Sequence, residues 1–481
     1  KDSEQVGMTD NGQNDKIEYM ASLTTEEIIE ATGGELLSDL SDKSENSISF
    51  EGVSIDSRTI SVKEVFFALR GERYDGHDFL NSALSKGHGA VIDSKPDTIP
   101  KGKTVIYVKD TLKALQDVAH FLRVRRNIPV VAITGSNGKT TTKEMTYRIL
   151  SRRFNVLKNE GNLNNHIGLP LSITRLAPSD EVVVLELGMS GPGEIMRLCE
   201  IAVPTHGVIT NIGVAHIGKL GSLASIRSAK LEILHGLAVA VLNADDSFLM
   251  EGVKGFDGKV ITFSINNDSH VKAERIFTTD RGSNFTLCLK GAESAEITLS
   301  THGLFNVYNA LAASAVCISL GITLDEIKTA LKSYDGVPMR FQTMKADAIT
   351  IINDSYNANP SSMAESLREF VCMKGGMRAV VILGDMLELG GFSDEAHKSI
   401  GRIISEIGID VFVAVGEMMA LAAEESRKNK GKKQSPLVYL FKNAGEAGGD
   451  IMNILRQGDT VLVKGSRAMG MEKIIERIRG K

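Results

Sequence analysis

Residues 130–140 read Val-Val-Ala-Ile-Thr-Gly-Ser-Asn-Gly-Lys-Thr. The β-branched run at residues 130–134 predicts a buried strand, and the residues after the glycines are typical of a helix. Glycines at such a junction let backbone N–H groups approach phosphate oxygens, and the helix N-terminus adds a favourable dipole. The stretch therefore predicts a phosphate-binding loop within an α/β fold.

This loop is the candidate site for the phosphates of ATP. Lys139 can bridge the β- and γ-phosphates, and the Thr140 hydroxyl can reach Mg²⁺. The loop is two residues shorter than the usual G-x-x-x-x-G-K-[ST], so the alternative is a glycine turn with a chance Lys-Thr pair. Strand, loop and helix together favour the binding site. Its predicted nucleotide-binding residues are Gly135, Ser136, Asn137, Gly138, Lys139, Thr140 and Thr141.

Strand-like and helix-like segments alternate through most of the chain, which predicts α/β architecture with mainly parallel sheets. A polar lead-in at residues 1–22, expected to be disordered, precedes three domains at 23–126, 127–337 and 338–481. In the last domain each strand is followed by a helical pattern, as in a Rossmann-like sheet. The predicted strands of the second and third domains lie at 130–134, 182–185, 207–210, 239–242, 349–352, 379–383, 411–415 and 461–464.

Composition excludes several classes of protein. The net charge of -5 over 481 residues argues against a protein that coats nucleic acid, which would carry a basic face. No apolar run approaches the roughly 20 residues that span a bilayer, and no signal-peptide pattern opens the chain, so we expect a cytoplasmic protein without membrane insertion. The four cysteines have no zinc-site or redox spacing, as expected in a reducing compartment.

Two polar residues follow predicted strands of the middle domain. Glu186 lies at the end of the strand at 182–185, where a nucleotide-binding sheet places a magnesium ligand. His216 lies in the loop after the strand at 207–210. Taken alone, Glu186 could be a surface acid and His216 an ordinary polar loop residue. Their positions beside the phosphate loop favour a role in metal binding.

Lys230 lies in a predicted helix at residues 223–237. It shares a face with Ile226 and Ile233, which are four residues before it and three after it. A buried ammonium is costly unless it is paired or neutralised. Spacing alone leaves two alternatives open: a lysine whose amine reaches the surface, or a lysine converted to a carbamate that offers an oxygen ligand to a metal.

With these residues placed, the sequence resembles the Mur ligase family of peptidoglycan synthesis from about residue 24 onward. The family's phosphate loop is a short G-x-x-G-K-[ST], as here, and residues 159–170 resemble the motif after its first central helix. The resemblance implies two Mg²⁺ ions, held by Thr140, Glu186, His216 and a carbamylated Lys230. It further implies that Asn165 contacts substrate.

The resemblance also covers the adenosine side of the site. Residues 306–310 resemble the family's N-x-x-N-A motif, which implies that Asn309 lies by the adenine. The histidine that usually precedes the first asparagine of this motif is Phe305 here. Arg340 falls on an arginine that reaches the phosphates from the third domain. Asp354 and Tyr356 fall in the motif that holds ribose and base. The implied catalytic residues are Lys139, Lys230, His216 and Arg340.

Within the family, residues 354–360 and 384–390 resemble the branch that adds D-alanyl-D-alanine. This implies ATP-dependent ligation of D-alanyl-D-alanine to UDP-N-acetylmuramoyl-tripeptide through an acyl phosphate. The first domain, with Ser57 and Arg58 in a strand and turn, would hold the UDP-sugar. We expect a monomer with no nucleic-acid partner.

Three other functions are compatible with part of this pattern. A folylpolyglutamate synthase would lack the first-domain UDP motif, which is present here. A P-loop switch or motor NTPase would hydrolyse ATP without an amine and would need neither Lys230 nor a UDP-binding domain. A non-catalytic module with the same fold would not need Lys139, Glu186, His216 and Lys230 together.

Overall fold

The computed structural model describes residues 22–37, 48–279, 281–428 and 435–480. The predicted lead-in therefore lies outside the described residues except for Ser22. The chain divides into two compact units: the described residues up to Leu122 together with Thr174–Asp180, and Arg123–Ile173 together with Glu181 onward. Within the described ranges, no helix has both the length and the apolar character needed to cross a membrane.

The first unit is an α/β fold around a small sheet. Its elements are β1 (Leu23–Thr24), α1 (Thr25–Thr32), β2 (Glu35–Leu36), β3 (Ser49–Phe50), β4 (Gly52–Ser54), β5 (Glu64–Phe67), α2 (Leu80–Lys86), β6 (Gly89–Ile92), β7 (Thr104–Tyr107) and α3 (Thr111–Val124), of which the last two residues are assigned to the second unit. The sheet has the order β2-β7-β6-β5-β4, and its pairs are parallel except β2 with β7. α1 begins directly after Thr24, because the Thr24 hydroxyl and the Glu27 carboxylate form a capping box.

The second unit contains two sheets, of which the first carries the phosphate loop. Its strands are β8 (Val130–Thr134), β9 (Val156–Lys158), β10 (Val182–Glu186), β11 (His206–Ile209), β12 (Val239–Asn243), β13 (Lys259–Ser264), β14 (Val271–Thr279), β15 (Gly282–Leu289) and β16 (Ser294–Leu299). Its helices are α4 (Lys139–Leu150), α5 (Gly168–Ile173), α6 (Glu194–Ala202), α7 (Ile217–Leu220), α8 (Leu223–Leu231), α9 (Ser247–Gly252), α10 (Leu304–Ser319) and α11 (Leu324–Lys332).

This sheet has the order β16-β15-β14-β13-β12-β11-β8-β10-β9. The strands from β9 to β14 pair in parallel, as predicted, whereas β14, β15 and β16 pair in antiparallel fashion. The sequence did not predict that antiparallel extension. β8 lies inside the parallel part between β11 and β10, so the loop that follows it has neighbouring strand ends on both sides.

One predicted helix is shorter in the structure. The helix expected over residues 223–237 ends as an α-helix at Leu231 and continues only as a 3-10 turn at Glu232–Leu234. Gly236 then adopts φ 69, a left-handed conformation that a continuing helix does not allow. Lys230 therefore lies in the last turn of α8 and not in its middle.

The second sheet follows residue 340. Its elements are β17 (Gln342–Ala346), β18 (Ile349–Asp354), α12 (Pro360–Met373), β19 (Ala379–Gly384), α13 (Ser393–Ile407), β20 (Val411–Val415), α14 (Met419–Lys428), β21 (Leu437–Phe441), α15 (Ala444–Ile454), β22 (Thr460–Lys464) and α16 (Glu472–Ile478). The order is β17-β18-β22-β19-β20-β21, and its pairs are parallel except β17 with β18.

This topology confirms the Rossmann-like prediction for the end of the chain. The strand order reverses around β22, and such sheets bind ligands at the carboxyl ends of their strands near that point. β21 lies at the edge of the sheet, and its side chains Leu437 and Leu440 are each 52% exposed. The domain boundaries predicted at residues 127 and 338 stay predictions, since both sheets belong to one compact unit.

Candidate active site

A cavity of about 980 Å³ lies within the second unit, where the carboxyl ends of its two sheets meet. The first sheet contributes the phosphate loop, Glu186, His216 and the residues around Asn309. The second sheet contributes Asp354, Tyr356 and the loop at residues 387–389. Most of the predicted nucleotide-binding residues are thus brought together in one space.

The phosphate loop has the backbone that its glycines allow. Gly135 and Gly138 have φ 148 and φ 82, and a Cβ atom would lie 1.9 Å from Thr210 Oγ1 at the first and 2.2 Å from Asn309 Oδ1 at the second. Any other residue would therefore be strained and would also collide with a neighbour. The Lys139 ammonium donates to the Gly135 carbonyl at 2.9 Å, so it lies folded back over the loop.

Contacts outside the loop hold it in place. The Ser136 hydroxyl donates to the Gly213 carbonyl and accepts from the Gly213 N–H, both at 2.8 Å. The Asn137 N–H donates to Asn211 Oδ1 at 3.0 Å, and the Asn137 carboxamide accepts from Asn359 Nδ2 at 2.8 Å. Asn359 lies directly before α12, in the segment that follows β18, so residues that follow strands of both sheets hold the loop.

Glu186 lies beside Thr140, as the sequence predicted. The Thr140 hydroxyl donates to Glu186 Oε2 at 2.8 Å, and Asn164 Nδ2 donates to the other carboxylate oxygen at 2.8 Å. Asn159 exchanges hydrogen bonds with the Glu186 backbone at 2.8 and 3.0 Å. The sequence did not assign these roles to Asn159 and Asn164, although both lie in the stretch that resembles a family motif.

The pKa of Lys139 in the phosphate loop is lower than that of a free lysine. Burial lowers the pKa of Lys139, and the charge of Arg340 lowers it further, whereas Glu186 opposes both. An anionic ligand would relieve this penalty, because it would supply the negative charge that the buried ammonium needs. The loop is therefore electrostatically prepared for phosphate.

Burial and the positive charge of Lys139 also lower the pKa values of Lys230 and His216. Only 2% of Lys230 is exposed, and burial together with the charge of Lys139 places its pKa well below the usual range. The pKa of His216 is lowered by burial and by Lys139, although Glu388 opposes this. Both groups are thus held toward their neutral forms, in which their nitrogen lone pairs are available.

Arg340 reaches the phosphate loop from the start of the second sheet. Its guanidinium donates to Thr140 Oγ1 at 3.0 Å and lies over the Tyr356 ring at 4.0 Å. The residues on either side, Met339 and Phe341, have φ 62 and φ 52. Such conformations cost about 1–3 kcal/mol each and are concentrated at functional sites. The Arg340 Nε–H has no hydrogen-bond partner within the described residues, so a ligand oxygen can take that place.

The predicted adenosine residues Asn309, Asp354 and Tyr356 all line the cavity, the first from the side of the first sheet and the other two from the side of the second. Asp354 Oδ2 pairs with Lys464 Nζ at 2.5 Å, and Asp354 Oδ1 accepts from the Phe341 N–H at 3.1 Å. The Asn309 carboxamide lies against the loop and accepts from the Thr142 hydroxyl at 3.3 Å. Phe305, which stands where the family has a histidine, packs edge-on against Phe341 with ring centroids 5.1 Å apart. That position therefore contributes an apolar contact.

The three predicted substrate-binding residues are not all at the cavity. Asn165 lines it, but its side-chain oxygen already accepts from the Ile167 and Gly168 N–H groups at the start of α5. Ser57 and Arg58 belong to the first unit. Arg58 pairs with Asp56 at 2.7 Å and holds the pKa of that carboxyl at about 2.

The donor groups fit Mg²⁺ in part. Thr140 and Glu186 present adjacent oxygen donors of the hard type that Mg²⁺ prefers. Across the described part of the chain, no three His, Cys, Asp or Glu side chains are grouped so that they could hold a metal ion. A Mg²⁺ ion at this place would need substrate phosphate oxygens and waters as further ligands, which is its usual mode of binding.

Three family models match the chain. They are described as Mur ligase family, catalytic domain (residues 49–124), Mur ligase middle domain (residues 133–317) and Mur ligase, glutamate ligase domain (residues 339–467). The matched ranges contain the phosphate loop, Glu186, His216, Lys230 and Arg340. The resemblance inferred from the motifs is confirmed.

Curated relatives and solved structures agree with these models. The chain is 36% identical to the UDP-N-acetylmuramoyl-tripeptide--D-alanyl-D-alanine ligase of Bacillus subtilis (strain 168), over 88% of this chain and 92% of that protein. The ligase of the same description from Escherichia coli (strain K12) is 35% identical over 96% of this chain and 99% of that protein.

Two solved structures show the same fold. A crystal structure of MurF from Acinetobacter baumannii has a TM-score of 0.87 and 31% identity, covering 96% of this chain and all of that one. The MurF ligase from Thermotoga maritima in complex with ADP has a TM-score of 0.78 and 28% identity, covering 89% and 97%. The chain belongs to the Mur ligase family.

Proposed function

We propose that this protein joins D-alanyl-D-alanine to UDP-N-acetylmuramoyl-tripeptide at the expense of ATP, in the synthesis of peptidoglycan precursors. The relatives that it matches over nearly their full length carry this activity in their names. One structural observation supports the proposal above the others: a single cavity combines the phosphate loop with Arg340, which lies just before the second sheet. The buried Lys230 does not line this cavity itself, but it is close enough to Lys139 for the charge of Lys139 to lower its pKa.

The first step activates the peptide. An oxygen of the terminal carboxylate attacks the γ-phosphorus of ATP, the bond to the β,γ-bridging oxygen breaks, and ADP leaves with the electron pair. Lys139 and Arg340 stabilise the negative charge on the transferred phosphoryl group. Arg340 can do so because its Nε–H lacks a partner within the described residues.

The second step forms the amide. The neutral amine of D-alanyl-D-alanine attacks the carbonyl carbon of the acyl phosphate, phosphate leaves with the electron pair, and the amine gives up one proton. The acyl phosphate would be hydrolysed by free water, so the site must be enclosed while it exists. Residues from both sheets line the cavity, and we expect that enclosure to form there.

Thr140, Glu186, His216 and Lys230 are the proposed ligands of two Mg²⁺ ions. Bound Mg²⁺ would neutralise charge on the phosphoryl oxygens. Lys230 could serve as a ligand after its amine forms a bond to the carbon of CO₂ and loses a proton, which leaves an anionic carbamate. The lowered pKa of Lys230 supports this, since only a neutral amine can attack CO₂.

The remaining assignments extend the proposal to the rest of the chain. Asn309, Asp354 and Tyr356 would contact the adenosine, and Asn165 would contact the muramoyl peptide. Ser57 and Arg58 would bind the UDP group in the first unit. The monomeric state and the cytoplasmic location expected from the sequence stay predictions.

Phosphate release provides the test. With ATP, Mg²⁺ and UDP-N-acetylmuramoyl-tripeptide, we expect sustained phosphate release only when D-alanyl-D-alanine is also present, together with one new amide per phosphate. A matched Lys139→Ala variant should release none. A P-loop hydrolase would instead release phosphate at the same rate when both UDP-N-acetylmuramoyl-tripeptide and D-alanyl-D-alanine are left out. That result would rule out the ligase.

A further inference from the structure

Two loops touch at the edge of the cavity, one from each sheet of the second unit. His216 Nδ1 lies 2.8 Å from Glu388 Oε2, and the Gly218 N–H donates to the Glu388 carbonyl at 3.2 Å. Glu388 lies in the 384–390 stretch, to which the proposed reaction assigns no role. The contact therefore joins a proposed metal ligand to the second sheet.

The backbones of both loops are strained where they meet. His216 and Glu388 have φ 57 and φ 64. Histidine adopts this left-handed region several times more often than most residues, whereas glutamate seldom does. A Cβ atom on Gly218 would lie 2.6 Å from the Glu388 carbonyl oxygen and 2.7 Å from the Gly390 nitrogen, so the two backbones are in direct contact. Strained residues persist only where their surroundings hold them.

The chemistry of the pair assigns the proton. A carboxylate beside Nδ1 accepts the Nδ1–H, which leaves the lone pair on Nε2 free. The Glu388 side chain is 58% exposed, and an ion pair that water can reach adds little to the stability of a fold. The pair is therefore better suited to orienting an imidazole than to stabilising the protein.

We propose that Glu388 is a positioning residue: it holds His216 with Nε2 directed to the cavity, and it does so only while the loop at 387–390 is docked on the loop at 216–218. The inference rests on the proposed role of His216 as a metal ligand. It adds that the second sheet must be in place before that ligand is correctly oriented.

The test compares Glu388→Ala with Glu388→Gln. Gln keeps an oxygen that can accept from Nδ1, whereas Ala keeps none. In protein labelled with ¹⁵N-histidine, we expect His216 of the parent to carry its proton on Nδ1. That signal should be lost in Glu388→Ala and kept in Glu388→Gln. The His216 resonance is assigned by its absence from a His216→Gln sample.

A second readout is the affinity for Mn²⁺ in the presence of ADP, measured by electron paramagnetic resonance. Loss of a residue that orients a metal ligand typically weakens metal binding about 10–100-fold. We expect this in Glu388→Ala, near-parental binding in Glu388→Gln, and no change in the exposed control Glu417→Ala. Unchanged imidazole protonation and Mn²⁺ affinity in Glu388→Ala would overturn the inference. The imidazole signal needs no ligase turnover, so it can succeed or fail independently of the proposed reaction.

The docking half of the inference has its own test. Gly218→Ala keeps the side chains of both His216 and Glu388, but its new Cβ atom forces the two loop backbones apart. We expect the Nδ1 proton signal to disappear as it does in Glu388→Ala. Gly391→Ala is the matched control, since a Cβ atom there meets nothing within 4 Å. A parental His216 signal in Gly218→Ala would show that docking is not required.

Discussion

Lys230 lies in the last turn of α8, and the surrounding fold disfavours the charged form of its amine. Burial and the charge of Lys139 lower its pKa, so folding discourages protonation of this group. A leucine or methionine would fill the same space without that penalty. The presence of lysine is therefore better explained by chemistry than by stability.

At this residue we expect Lys230→Met to raise stability and abolish ligation. In CO₂-free buffer at pH 7 the gain should be about 1 kcal/mol, the size of a typical stabilising substitution. In the unfolded protein Lys230 keeps its proton up to about pH 10.4, whereas in the folded protein it releases the proton at lower pH. Parental stability therefore rises with pH, and the gap between the two proteins should narrow toward pH 10. Urea unfolding from pH 7 to 9.5 measures this; equal stability at pH 7 would contradict it.

Asn164 provides a second prediction at the residue scale. Its carboxamide donates to Glu186 Oε1, so Asn164→Ala should leave that carboxylate free to rotate. We expect kcat to fall about 10-fold or more and the apparent requirement for Mg²⁺ to rise, because groups that orient metal ligands have effects of this size. Asn162→Ala, in the same loop and exposed, is the control. Equal kinetics in the two variants would count against a role for Asn164.

At the scale of elements, the junction from β8 to α4 depends on glycine. We expect Gly138→Ala to lose ATP binding, since the new Cβ atom would lie 2.2 Å from Asn309 Oδ1 in a left-handed backbone. Isothermal titration with ADP measures the loss. Gly161→Ala is the matched control: it has φ 52 but nothing within 4 Å, so it should cost about 1 kcal/mol of stability and retain binding. Retention of ADP by Gly138→Ala would mean that the loop can rearrange.

The elements themselves were largely predictable from local pattern. β8 and β20 have the predicted bounds, because β-branched runs buried on both faces give an unbroken apolar signal. The strands β14 to β16 were missed, since partly exposed antiparallel strands mix polar and apolar residues. Helical spacing placed Lys230 on the apolar face but left open whether its amine reaches the surface; the structure buries the side chain, with 2% exposed.

The parts of the site that escaped prediction depend on distant residues. Glu388 and His216 are 172 positions apart, and Asn359 and Asn137 are 222 apart. No local periodicity encodes such contacts; only the packing of two sheets creates them. Strained positions such as Met339 and Phe341 could not be predicted either, because methionine and phenylalanine have no preference for the left-handed conformations that they adopt here.

At the scale of the molecule, two sheets share one binding site. Arg340 donates to Thr140, Asn359 donates to Asn137, and Glu388 contacts His216, so each side of the cavity holds the other. A nucleotide bound there should therefore stabilise both sheets together. Ligand at 100 times its dissociation constant adds about 2.7 kcal/mol to the stability of the state that binds it.

We expect ATP with Mg²⁺ to slow amide hydrogen exchange at residues 135–141 and 354–359 in parallel, although more than 200 residues separate them. Mass spectrometry of the exchanged peptides measures this. In the Lys139→Ala variant both segments should exchange at the rates of the nucleotide-free protein. Protection of residues 135–141 alone would indicate that the second sheet does not take part in nucleotide binding.

The edge strand β21 has a consequence for handling the protein in concentrated solution. It pairs only with β20 among the described strands, and Leu437 and Leu440 project from it half exposed. A free apolar edge can add strands from other molecules, and natural proteins often prevent this with a lysine. Leu440→Lys should therefore raise the concentration at which the protein precipitates while leaving catalysis unchanged, since the residue does not line the cavity.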